Sequence, residues 1–193
     1  MSVRFAPATV DDVDALADLA ARTFPLACPP GLPGAAIDEF IAAQLSPFAF
    51  TEYIDSADHV VLVGKSAGQP AYKPAGQHDD PATTEELLAY ALLIAGPGTD
   101  PAEREAVRHR PTTYISKFYV EPAAHGSGIA TEMHEAVVEL CTARHDQSLW
   151  LGTNDGNLRA QRFYEKSGFE VVGRRSFFVG DIECTDLIYE RPL

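Results

Sequence analysis

Two clusters in the chain have residue types and spacings that could do chemistry. The first is His125-Gly126-Ser127-Gly128, between a β-branched and aromatic run ending at Val120 and an amphipathic run beginning at Ile129. Glycines let the chain turn tightly and leave backbone N–H groups bare at the positive end of a helix, a geometry suited to a pyrophosphate. A purely steric need for glycine in a strand-to-helix turn explains the same residues. The Gly-Lys-Ser/Thr ending of a nucleotide-triphosphate loop is missing, and Thr131 stands where a dinucleotide fingerprint needs its third glycine. The second cluster is Asn157, Ala160 and Tyr164, which share one face of a helix and can meet one ligand together. Its plainer reading is a helix capped by Asn157, with Phe163 and Tyr164 in the core.

The remaining reactive side chains form no constellation. His59, His78, His109, His134 and His145 share no ligand spacing, and His134-Glu135 lacks the second histidine of a zinc protease. Cys28, Cys141 and Cys184 are odd in number and widely separated, which predicts ordinary thiols without a disulfide framework or metal knuckle. No metal is expected.

Several elements must position these residues. Val3 to Ala6 reads as a first strand, and Thr9 with Asp12 as a helix start. Val13, Leu16, Ala17, Ala20 and Phe24 form one helical stripe, broken at Pro25 and the Cys28–Gly34 stretch; Ile37, Phe40, Ile41, Leu45 and Phe48 form a second. Val60 to Val63 and Leu87 to Ile94 read as paired strands joined through the polar segment Gly64 to Thr84, although Leu87–Ile94 also has a helical reading. Gly96 to Pro111 reads as an irregular loop and Thr112 to Val120 as a strand. Ile129, Met133, Ala136, Val137 and Leu140 make a helical stripe, Ser148 to Thr153 a strand, and Asn157 to Ser167 a helix stopped by Gly168. Val171 to Val179 and Cys184 to Glu190 complete the order around a turn at Gly180-Asp181. The pattern is a mixed α+β or α/β domain with one central sheet, a single domain across all 193 residues.

Composition narrows the function classes. Hydrophobic residues at 46% and charged residues at 22% fit an ordinary globular protein. A net charge of −13 disfavours nucleic acid and suits a cationic small substrate. No apolar run approaches a membrane span or a signal peptide, so no membrane association and a cytoplasmic location are expected.

Taken together, the motifs resemble the GNAT acetyltransferase superfamily. Val120-Glu121-Pro122 followed by Gly126-Ser127-Gly128-Ile129-Ala130 is similar to its strand, glycine turn and helix, with Ala123 in place of the usual Gln or Arg and His125 in place of a common Arg. The string from Asn157 through Ala160, Phe163 and Tyr164 to Gly168-Phe169 is similar to the family's second motif over its whole length. The resemblance implies a mostly antiparallel sheet of about seven strands with about four flanking helices, and acetyl-CoA as cosubstrate for transfer to a primary amine. It implies cofactor contacts from Phe118, Tyr119 and Val120, from His125, Gly126, Ser127, Gly128, Ile129 and Ala130, and from Asn157 and Tyr164. Tyr164 would be the proton donor to the departing thiolate: with an unperturbed pKa of about 10 it keeps its proton at neutral pH. Glu52, Asp58 and Glu121 are the carboxylates considered as bases through water, and the base stays unassigned. Ser148 to Gly152, Phe177 to Asp181, Thr185 to Ile188 and Arg22-Thr23-Phe24 resemble the PaiA-type branch, which implies spermidine or spermine as acceptor. Phe24, Tyr53 and Phe178 are candidate pocket walls, though core packing explains each equally well. The alternatives are another small amine or a protein amine as acceptor, or a catalytically silent acetyl-CoA-binding regulator; the partners considered are a small-molecule amine and a second copy in a homodimer.

Overall fold

The computed structural model describes residues 2–28, 31–66, 85–179 and 182–193. Its strands are β1 (Val3–Pro7), β2 (His59–Ser66), β3 (Leu87–Ala95), β4 (Thr112–Val120), β5 (Ser148–Asn154), β6 (Glu170–Val179) and β7 (Ile182–Pro192). Its α-helices are α1 (Val13–Ala27), α2 (Gly34–Gln44), α3 (Pro47–Asp55), α4 (Pro101–Ala106), α5 (Ile129–Ala143) and α6 (Leu158–Lys166). The strands form one sheet in the order β1-β2-β3-β4-β5-β7-β6, antiparallel everywhere except between β4 and β5.

The sheet is covered on both faces, which is why β3 is apolar along its length. Val61 and Val63 of β2 and Leu92 of β3 meet Leu16, Leu19 and Phe50 from α1 and α3. Leu62 of β2 with Ala89 and Ala91 of β3 lie on the other face, with Met133 and Val137 of α5. The alanines that made β3 ambiguous leave room for α5 to approach, and pairing on both edges fixes the segment as a strand.

Three helical expectations change. The second early stripe is divided: α2 ends at Gln44, and α3 starts anew where Ser46 Oγ accepts the Ala49 amide at 3.3 Å and Pro47 occupies the first turn. Phe48, assigned to that stripe, is 75% exposed. Pro25 does not break α1, which runs on to Ala27, because a proline in the last turn removes only one amide from the helical ladder. The loop expected at Gly96–Pro111 contains α4, capped by the Asp100 carboxylate on the Ala102 amide at 2.7 Å. Six α-helices are therefore present among the described residues, where about four were expected. The connection expected at Gly64–Thr84 begins inside β2, and its residues 67–84, like the turn at Gly180-Asp181, lie outside the described residues.

One irregularity positions the site. β4 and β5 pair only from Thr112–Ser148 to Tyr114–Trp150, while β4 stays with β3 as far as Val120 and β5 stays with β7 as far as Asn154. The sheet therefore opens into a wedge between the C-terminal halves of β4 and β5. Within β4, Leu93 pairs with Ile115 and Leu92 with Lys117, so Ser116 is an extra residue that bulges the strand as the wedge begins.

Candidate active site

Two clefts meet at this wedge. The smaller, about 210 Å³, is lined by Phe118, Tyr119 and Val120 of β4, His125 and Ala130 at the glycine turn, and Asn157, Ala160 and Tyr164 at α6. The larger, about 600 Å³, lies against Phe24, Phe40, Tyr114, Lys117, Gly152 and Asp186. Ala27, Tyr119 and Asn157 border both, so a group held in one can reach the other.

The glycine turn has the conformation that its composition suggests. Gly126 and Gly128 adopt positive φ values of 84° and 96°. A Cβ at Gly126 would meet no atom within 4 Å, and one at Gly128 would meet only Glu132 Oε1 at 3.8 Å, so the backbone faces open space. Gly128 caps α5, and its carbonyl takes the first helical amides, those of Thr131 and Glu132, at 2.9 and 3.1 Å. The amides just before them point out of the helix start, where its dipole favours an anion. Ile129 is buried in the core by its side chain, while its amide lies in the first turn of α5.

The polar side chains of the turn brace the loop. His125 Nε2 lies 3.0 Å from the Val120 carbonyl, and since a carbonyl only accepts, this nitrogen carries the proton. A phosphate would have to use the other ring nitrogen. Ser127 donates both its hydroxyl, at 2.6 Å, and its amide, at 3.3 Å, to the Ala124 carbonyl. With Ala123 contributing no polar group, what the turn offers an anion is mainly backbone amides.

Asn157 and Tyr164 occupy opposite ends of one face of α6. Asn157 Oδ1 accepts the Ala160 amide at 3.1 Å, so it caps the helix while bordering both clefts. Tyr164 is 8% exposed, with its ring at the edges of Phe118, Phe163 and Phe169. This burial, with the neighbouring Tyr114 hydroxyl, pushes its pKa well up, so the proton stays on at all ordinary pH. Burial likewise raises Tyr119, stacked on Tyr90 at 5.5 Å.

The wall of the larger cleft was not foreseen. Arg175 of β6 bridges Glu103 of α4 and Asp186 of β7, the latter at 3.1 Å, and donates to the Tyr114 hydroxyl at 3.1 Å. Tyr114 stacks on Trp150 at 4.0 Å. Burial raises the Asp186 carboxyl despite the guanidinium beside it. Lys117 places its ammonium 5.0 Å from the Tyr53 ring centre, and burial lowers its pKa to about 8. Of the expected walls, Phe24 lines this cleft, Tyr53 lies under Lys117, and Phe178 is exposed on β6. Glu52 and Asp58 are exposed, and Glu121 is bound to Arg22 of α1 at 2.9 Å; none of the three lines either cleft.

Comparison with known proteins agrees with this architecture. Residues 46–169 match the family model described as the acetyltransferase (GNAT) family. An uncharacterised N-acetyltransferase from Mycobacterium tuberculosis H37Rv is 34% identical over 94% of this chain and 98% of its own length, as is one from Mycobacterium bovis. Among solved structures, a PaiA N-acetyltransferase from Thermoplasma acidophilum in complex with coenzyme A superposes with a TM-score of 0.71 over 100% of both chains, at 14% identity. The ribosomal-protein-S18-alanine N-acetyltransferase from Escherichia coli gives 0.61 over 99% of this chain and 94% of its own, also at 14%. At such identities these two likenesses speak for the fold. The family match, the full-length relatives, the wedged sheet and the open glycine cradle agree: this chain belongs to the GNAT acetyltransferase family and is an N-acetyltransferase with acetyl-CoA as its cosubstrate.

Proposed function

We propose that the chain moves an acetyl group directly from acetyl-CoA to the primary amine of a small molecule held in the 600 Å³ cleft. The observation that carries this is the junction of the two clefts at Tyr119 and Asn157, with Tyr164 buried on the cofactor side. The backbone amides of Gly126, Gly128, Ile129 and Ala130 hold the pyrophosphate, while the Ser127 amide stays on the Ala124 carbonyl. The unpaired edge of β4 from Phe118 to Val120 lies along the pantetheine arm. The bound thioester supplies the activated acetyl group.

Tyr164 serves the departing sulfur. A neutral amine forms the new C–N bond as the C–S bond breaks, and negative charge collects on sulfur. With its pKa raised, Tyr164 first stabilises that charge by hydrogen bonding, and the proton it gives up is replaced by the one the new amide nitrogen must lose. Tyr164 bordering the cofactor cleft supports turnover over a catalytically silent binding role.

A polyamine is the acceptor implied by the PaiA-type resemblance, and the net charge of −13 supports a cationic one. Release of CoA thiol with a panel of polyamines, aminoglycosides, amino acids and peptide amines, with the N-acetyl product identified by mass, tests the whole reading. We expect amine-dependent release matched by product. Release no faster than buffer hydrolysis with every amine would overturn it.

A further inference from the structure

The charged residues lining the acceptor cleft are Glu39 of α2 and, across the wedge from one another, Lys117 of β4 and Arg175 with Asp186. On the β7 side, Asp186 and Glu103 both pair with the guanidinium of Arg175. On the β4 side stands Lys117, whose ammonium makes no ion pair with any carboxylate among the described residues. Its neighbour there is the face of Tyr53. A half-buried cation without a counter-charge is costly to hold, and a ligand anion would relieve that cost. Burial lowers its pKa to about 8.

The Ser116 bulge explains how a lysine comes to face the cleft. In β4 the extra residue lets Tyr114, Ser116, Lys117 and Tyr119 all border the acceptor cavity, while Phe118 and Val120 border the cofactor slot. Without the bulge, simple alternation would put Ser116 and Lys117 on opposite faces. A polyamine lying in this cleft would bring a second ammonium toward Lys117, and like charges in a half-buried site repel strongly.

We propose that Lys117 forms an anion subsite of the acceptor cavity, and that the amine acetylated here carries a carboxylate, as an amino acid does. This rests on the acetyl-transfer reading of the same site. The ammonium end faces the acidic Asp186 side before losing its proton, and the carboxylate end pairs with Lys117 across the wedge.

The test compares amino acids with the corresponding carboxamides and with spermidine, for the wild type, Lys117→Met and Lys117→Arg. We expect the wild type to prefer acids over amides by about tenfold or more in kcat/KM, the size of one charge-assisted hydrogen bond. Lys117→Met should lose that preference through KM for the acid, keep its KM for acetyl-CoA, and regain much of the preference as Lys117→Arg. Equal use of acid and amide by the wild type, preserved preference in Lys117→Met, or turnover confined to spermidine would each overturn the proposal. A second readout needs no turnover: thermal stabilisation of the CoA-bound protein by N-acetyl amino acids against their amides. Acid-selective, Lys117-dependent stabilisation without transfer would sustain the anion subsite and reject the transfer reading; no selectivity in either readout would reject the subsite.

Discussion

Gly126 shows how two effects at one residue can be separated. Its φ of 84° penalises any side chain, while the open space beyond it is where the pyrophosphate is placed. Gly126→Ala should therefore cost about 1 kcal/mol of stability from backbone strain and only modest affinity. Gly126→Glu adds a carboxylate at the anion site, and we expect acetyl-CoA affinity, measured calorimetrically, to fall by about a hundredfold or more. Affinities equal for the two variants would place the pyrophosphate elsewhere. These glycines, Asn157 and Tyr164 could be picked out in the sequence because the cradle and the helix face are local patterns. Lys117, Tyr114, Arg175 and Asp186 could not. Arg175 meets Glu103 across 72 positions of chain, and Lys117 looks like an ordinary solvated strand residue until the bulge at Ser116 turns it inward.

At the level of elements, the free edge of β4 is the feature that distinguishes a binding slot from a closed sheet. Amides of β4 beyond Tyr114 have no β5 partner, and those at the start of α5 precede its first internal bonds. Hydrogen exchange should be slowed by CoA at Lys117–Val120 and Gly128–Ala130, and little changed in β1, β2 and β7. Protection confined to other elements would contradict the placement of the cofactor. The strands and the helix after the turn were readable because both faces of the sheet are buried and α5 keeps a regular stripe. The early helices were misjudged where apolar residues continued in helical register across Ser46-Pro47, since periodicity does not register a cap that starts a new helix. Pro25 misled in the opposite direction, its cost being small in a last turn.

Over the whole molecule, hydrophobic clusters cover both faces of one sheet, and the packing of α5 against β7 is where we expect sensitivity to acid. His134 of α5 is buried among Phe163 and Phe169, and its Nε2 accepts a hydrogen bond from Arg191 at 3.1 Å. Burial and that guanidinium lower its pKa to about 4. Because the folded value lies below the unfolded value of about 6.5, the neutral histidine's contribution is complete above about pH 6.5 and is lost as pH falls toward about 4, by up to about 3 kcal/mol. In urea titrations from pH 7 to 4.5, His134→Gln should lose less stability than the wild type, since the amide can still accept from Arg191 and has no proton to take up. Parallel declines would assign acid sensitivity to other groups. The sequence put this histidine in no role, because its burial depends on contacts with α6 and β7.

The most direct test of the account is the steady-state kinetics of Tyr164→Phe with a productive amine near pH 7. Removing one hydroxyl leaves the ring packing against Phe118 and Phe169 intact. We expect kcat to fall by about a hundredfold or more while KM for acetyl-CoA stays within about threefold; an unchanged kcat would contradict the proton-donor role of Tyr164.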